Sequence, residues 1–117
     1  MKDGCPFCEY DGPSRVLYEY DYEGESYFVI EPLDPVTAGH LLVIPRRHVE
    51  HVGQSAPLAA GAFKVAAGLA EGRAELRQSY NLITSKGLAA TQTVRHFHVH
   101  IVPRREGDGL LLPWSVT

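Results

Sequence analysis

Residues 94–102 read Val94-Arg95-His96-Phe97-His98-Val99-His100-Ile101-Val102, so three of the six histidines stand on every second position with an apolar residue in each gap. A period of two belongs to an extended strand, whose successive side chains leave on opposite faces. His96, His98 and His100 are therefore expected on one face, roughly 6.5 to 7 Å apart per step, with Phe97, Val99 and Ile101 turned into a core. Packing gains little from such a ladder, because protonated imidazoles repel one another. Imidazole is also the side chain that serves as ligand, acid, base or nucleophile near neutral pH.

The rest of the chain supplies elements to pack against that strand. Arg15 to Tyr20 and Glu25 to Glu31 are rich in Tyr, Val, Phe and Ile around Asp21-Tyr22-Glu23-Gly24, which predicts a hairpin. Pro32, Pro35 and Gly39 punctuate a loop before Leu41-Leu42-Val43-Ile44, a short strand ended by Pro45. Between Pro57 and Gln78, alanines and leucines alternate with charged residues at helical spacing, with Ser55 as the N-cap. Tyr80 to Thr84 forms a further strand before the histidine-bearing one. These elements predict an α+β domain: about five strands, mostly antiparallel, and one long helix on one face.

Composition narrows the class. With 117 residues, 44% hydrophobic and 21% charged, the chain fits a single domain over residues 1–117. A net charge of -3 speaks against a nucleic-acid-coating protein, although Arg46, Arg47, Arg104 and Arg105 remain available locally to a phosphate. No apolar run is long enough to span a membrane and no signal pattern opens the chain, so a soluble cytoplasmic protein is expected. Cys5 and Cys8 are the only cysteines. With two residues between them, they suit a metal or a redox couple better than a disulfide staple.

Taken together, His96 to Val102, with Gln92 before it and Pro103-Arg104 after it, resembles the signature of the histidine triad family of nucleotide hydrolases and transferases. The likeness extends through Cys5-Pro6-Phe7-Cys8, through Val36 to His48, and through Asn81 to Gln92, nearly the whole chain. It implies the histidine triad fold with a short N-terminal zinc-binding segment. It also implies chemistry at the α-phosphorus of nucleoside 5′-phosphoramidates or dinucleoside polyphosphates, through a covalent nucleotidyl-histidine. Hydrolysis is favoured over transfer. The remaining readings are a non-enzymatic nucleotide-binding module and a metal-binding module of the same fold.

Roles follow from the resemblance residue by residue. His98 is the nucleophile, which requires its other ring nitrogen to be held as a donor. His100 stabilises transition-state charge, His96 completes the catalytic row, and His40 orients neighbouring rings. Ser85, Gln92 and Thr93 contact the phosphate, Leu33 the base and Asp34 the ribose of a purine nucleotide. Ser85 stands where relatives commonly carry Asn, and Thr91 where they commonly carry Gly. Cys5, Cys8, His48 and His96 hold a structural Zn²⁺, with His51 as substitute for His48. A nitrogen on metal cannot act as an acid, so zinc on His96 would leave protonation of the leaving group to another donor. The resemblance also implies a homodimer in which the tail Gly107 to Trp114 reaches the partner's active site and Trp114 closes one end of its nucleotide pocket.

Overall fold

In the computed structural model of the chain, which describes residues 4–115, the first hairpin pairs β1 (Val16–Tyr22) with β2 (Glu25–Ile30). The two ends of the expected 1–117 domain, residues 1–3 and 116–117, lie outside the described residues. Asp21 and Tyr22 belong to the strand, and the turn shrinks to Glu23-Gly24, with Tyr22 opposite Glu25. Both turn residues have positive φ, 51° and 77°. That is the two-residue geometry whose twist matches a β-ribbon, and glycine takes its second position without steric cost.

β3 (Leu41–Pro45) pairs with β2, and β5 (Val99–Pro103) lies between β3 and β4 (Tyr80–Ile83). The five strands run β1-β2-β3-β5-β4, every neighbour antiparallel. β5 is shorter than the histidine pattern predicts. Its ladder with β3 reaches only from Leu41↔Ile101 to Val43↔Val99. Beyond that register the Phe97 N–H donates instead to the Val49 carbonyl at 2.7 Å, and His96 and His98 precede the regular strand. The alternation of faces survives nonetheless: Phe97, Val99 and Ile101 enter the core beneath the helix, while His100 lies opposite Leu42, a member of the other face's cluster.

The helix α1 (Ala56–Gly72) begins at Ser55, whose Oγ accepts the Leu58 N–H at 3.2 Å. It ends six residues before the expected Gln78. Arg73 turns out of helical conformation, and the following turn inserts Leu76 into the core at 1% exposure. Leu58, Ala62, Val65, Ala66 and Leu69 form the buried stripe, packed on Tyr27, Val29, Val43 and Val99 of the sheet. Full burial of one such large side chain contributes about 1.5–3 kcal/mol. The opposite sheet face carries Phe28, Ile30, Leu42 and Ile44, and the cysteine segment covers them through Phe7.

Gly61 is the tightest point between helix and sheet. A β-carbon there would overlap the Tyr27 hydroxyl. Overpacking costs about 1–3 kcal/mol, more than the ~1 kcal/mol of helix propensity that alanine gains. Gly61→Ala should therefore lower the melting temperature in a thermal melt, against the usual sign of a Gly→Ala change in a helix.

Candidate active site and metal centre

The chain before β5 brings two chemically distinct clusters against one another. In the first, Cys5 Sγ lies 3.3 Å from His96 Nδ1, Cys8 Sγ 3.2 Å from His48 Nδ1 and 3.6 Å from His96 Nδ1, and the two Nδ1 atoms are 3.1 Å apart. All four donor atoms fall within 4.8 Å of one another. The edges of a Cys₂His₂ tetrahedron around Zn²⁺ are roughly 3.3 to 3.8 Å, from bond lengths near 2.0 and 2.3 Å. The donor set and spacing therefore fit such an ion, and the thiols are not joined in a disulfide. His51 takes no part: its Nδ1 accepts the Gly53 N–H at 3.0 Å and caps a short 3₁₀ turn. His48 is the fourth donor.

His96 is fully buried and uses both ring nitrogens. Nε2–H donates to the Pro45 carbonyl at 2.7 Å, which leaves the Nδ1 lone pair facing the cysteines. The expected catalytic row is therefore divided. His96 joins Cys5, Cys8 and His48 through Nδ1 and Pro45 through Nε2, while its backbone carbonyl accepts the Nδ1–H of His98 at 2.7 Å. That bond makes Nε2 of His98 the nitrogen with the free lone pair.

A second chain of hydrogen bonds sets His100. The Val36 N–H donates to His40 Nδ1 at 3.1 Å, so a neutral His40 carries its proton on Nε2. That proton points at His100 Nδ1, 2.9 Å away, and the proton of His100 must then sit on its own Nε2. The rings of His98 and His100 are 5.1 Å apart. A ring nitrogen with a free lone pair and an N–H donor thus stand side by side, their tautomers assigned by these hydrogen bonds.

Burial keeps the network neutral. It is the main cause lowering His98, opposed by the hydrogen bond to the His96 carbonyl. It also lowers His40. His100 is pushed down to about 4, first by burial and then by the charges of His98 and His40. An unfolded His100 binds its proton near 6.5 and the folded one near 4, so within that window the unfolded state holds more protons. Its contribution to stability is complete above pH 6.5 and is lost as the pH falls toward 4. Melting temperatures measured across this window should fall with acidification, and His100→Asn should flatten the slope. An identical slope in the variant would refute this assignment.

The expected binding residues separate. His40 and Ser85 line a cavity of ≈380 Å³ beside His100. Leu33, 70% exposed, lies instead in a shallow cleft with Arg15, Leu17 and Glu31, and Asp34 next to it is exposed. Thr93 is on the metal side, in a depression shared with Cys5 and His48. Gln92 turns inward: its carboxamide donates to the Glu50 and Val94 carbonyls and accepts the Gly87 N–H, which staples the 87–92 loop. Three of the four arginines considered for phosphate are ion-paired, Arg46 with Glu19, Arg47 with Glu25 and Arg104 with Asp108. Volume alone does not find the site, since a groove of ≈440 Å³ lies between β1 and α1, lined by Tyr18, Tyr20, Lys64 and Arg73.

Two supporting residues were not anticipated from sequence. Phe7, between the cysteines, sets its ring edge-on to His96 and His98, centroids 5.9 and 5.3 Å away. Thr84 donates its hydroxyl to the His98 carbonyl at 2.7 Å. Thr84 carries a readable signal, a hydroxyl at the end of the strand paired with β5. Phe7 reads only as an apolar residue inside a Cys-x-x-Cys turn.

The fold agrees with known proteins. Residues 12–107 match the HIT domain, and the chain belongs to that family, the histidine triad proteins. It is 31% identical over 116 residues to the adenylylsulfatase HINT3 of Arabidopsis thaliana, covering 94% of this chain and 57% of the plant protein. With the adenosine 5′-monophosphoramidase HNT1 of Saccharomyces cerevisiae it shares 32% over 115 residues, covering 94% and 69%. The chain thus spans little more than half the length of the plant relative. The crystal structure of a zinc-bound histidine triad family protein from Mycobacterium smegmatis superposes with a TM-score of 0.77 at 34% identity, over 92% of this chain and 80% of that one. Among the described residues, no helix is long and apolar enough to cross a membrane.

Proposed function

We propose that the chain is a nucleotide hydrolase that opens the α-phosphorus of a purine nucleoside phosphoramidate or dinucleoside polyphosphate through a bond to His98. One observation carries this reading: the His98 Nδ1–H is tied to the His96 carbonyl at 2.7 Å, which leaves Nε2 neutral and nucleophilic. In the first step a bond forms between Nε2 and phosphorus, and the bond from phosphorus to the leaving group breaks. The departing nitrogen takes a proton from water. In the second step water oxygen replaces the histidine, so substrate and one water give the nucleoside monophosphate and the protonated amine.

His100 Nε2–H is placed to donate to a phosphate oxygen as charge builds there, and His40 holds it in that tautomer. Ser85 adds a hydroxyl on the same side. The nucleoside is assigned to the Leu33 and Asp34 side. The two relatives whose names describe hydrolysis of adenylyl compounds support this class of reaction. Cys5, Cys8, His48 and His96 would hold a structural Zn²⁺, which when bound supplies a fixed anchor for the His96 ring. The homodimer belongs to the same reading, with Trp114, 75% exposed, available to a partner's pocket.

The test is capture of the intermediate. After acid-free quenching of a reaction with radiolabelled adenosine 5′-phosphoramidate, label should remain on the protein and map to the peptide carrying His98. Label that persists in His98→Ala, or never attaches to the wild type, would exclude the mechanism.

A further inference from the structure

Among the described residues, β1 has one neighbour in the sheet, β2, and its other side is an open edge. Across the two-residue turn Tyr22 and Glu25 occupy the hydrogen-bonded position, and bonded and non-bonded pairs alternate from there. Tyr20 therefore turns its backbone N–H and C=O toward Tyr27, while Glu19 and Asp21 turn theirs outward. Such a row of donors and acceptors is a template for another extended chain. The strand carries neither lysine nor proline to blunt it, and its one irregularity lies at the start, between Val16 and Tyr18.

The ≈440 Å³ groove between β1 and α1 runs beside this edge, on the sheet face away from His100. Tyr18, Tyr20 and Tyr22 line it at the strand's period of two, with Tyr18 and Tyr20 37% and 36% exposed. Arg73 stands over the Tyr18 ring at 5.8 Å and Lys64 over the Tyr22 ring at 5.1 Å, one at each end of the row. The helical wall carries Gly68 and Gly72. Gly61 is required by the Tyr27 hydroxyl, but a β-carbon at Gly68 or Gly72 would meet nothing within 4 Å. Glycine inside a helix is destabilising relative to alanine, so packing among the described residues does not account for these two. Their effect is to keep the groove open over roughly 12 to 13 Å, the length of about four extended residues.

Charge selects the occupant. The hairpin carries four carboxylates, Glu19, Asp21, Glu23 and Glu25. Arg46 pairs with Glu19 and Arg47 with Glu25, which leaves Asp21 and Glu23 without an ion-pair partner among the described residues. A second copy of β1, laid antiparallel about Tyr20, would set Glu19 opposite Asp21 twice. Registers centred on Glu19 or on Asp21 would set like against like, and directly opposed like charges are destabilising. The edge is thus guarded against its own copies and open to a strand that brings cations.

We propose that the β1 edge and its tyrosine groove dock an extended segment of another protein, which joins the sheet beside β1. Residues of that segment directly opposite Glu19 and Asp21 share their face and are basic. The alternate ones lie over the tyrosines and are apolar or aromatic. Backbone hydrogen bonds supply the affinity and the alternating side chains the selectivity. Because His100 lies on the other face of the sheet, docking is independent of the hydrolase reading.

The probe is the peptide acetyl-Lys-Val-Lys-Phe-Lys-Val-Lys-Phe-amide, titrated into the isotope-labelled full chain and followed by the amide resonances. The Glu19 and Asp21 amides are expected to shift most, and those of His98 and His100 to stay in place. A peptide of the same composition with its lysines in one block should bind about tenfold more weakly, since it cannot serve both faces at once. Gly68→Leu fills the groove while raising helix propensity, so it should bind the probe about tenfold more weakly with a melting temperature no lower than the wild type's. Asp21→Lys, at an exposed position, should weaken binding to a similar degree by reversing the charge. Absence of binding, shifts centred away from β1, equal affinity for the reordered peptide, or unchanged affinity in either variant would each overturn the proposal. So would β1 amide shifts that grow with the concentration of the chain alone, which would make a second copy the occupant.

Discussion

Replacing His98 by alanine should lower kcat by roughly 10⁴- to 10⁶-fold, the range seen when an enzyme loses its covalent nucleophile. The loss belongs to the chemical step because the rest of the site does not depend on that ring. The His100 tautomer is set by His40 and the Val36 amide, and the His96 ring is held by Pro45 and the cysteines. Binding of adenosine monophosphate should therefore change only a few-fold. His98 is half-buried against Phe7, and its truncation should cost about 1 kcal/mol, a few degrees in melting temperature. The informative contrast is His100→Ala, which keeps the nucleophile and loses the donor. It should still form the adduct, at a rate lower by about 10²- to 10³-fold. Turnover in His98→Ala within tenfold of the wild type would remove the nucleophile from the mechanism.

The contrast between these variants shows what the primary structure discloses and what it withholds. Alternation at period two was enough to place Phe97, Val99 and Ile101 in the core, because burial follows the strand's geometry even where the ladder is incomplete. Period two alone does not separate His96, which the resemblance already placed with Cys5, Cys8 and His48, from His98 and His100. That division depends on backbone partners far away in sequence, the Pro45 carbonyl that accepts from His96 and the Val36 N–H that donates to His40, which carry no side-chain signature. Gln92 shows the same limit from the other side. A glutamine before a phosphate site reads as a ligand, yet three backbone groups of its own loop and of Glu50 take up its carboxamide. The end of the helix was misplaced for a related reason. Leu76 keeps a helical spacing, but it is buried by a turn after Arg73 rather than by continued helix.

Removing the metal should produce the largest change in stability. An ion bound by the folded chain alone adds about 4 kcal/mol at a thousandfold excess over its Kd, so stripping it should lower the melting temperature by roughly 10–20 °C for a chain of this size. The effect has two structural routes. Cys5 and Cys8 anchor the segment whose Phe7 covers Phe28, Ile30, Leu42 and Ile44, so release of the thiols uncovers that sheet face. His96, freed at Nδ1, would also loosen the carbonyl that holds the His98 proton. Chelation should thus cost more in stability than in the chemical step, and activity should return when Zn²⁺ is restored. Metal analysis should find one ion per chain, and the Co²⁺-substituted protein should show thiolate charge-transfer absorption that Cys8→Ser loses. A metal-free chain with an unchanged melting temperature would rule out the centre as a structural element. Two or more tightly held ions per chain would point instead to metal on the His98–His100 pair.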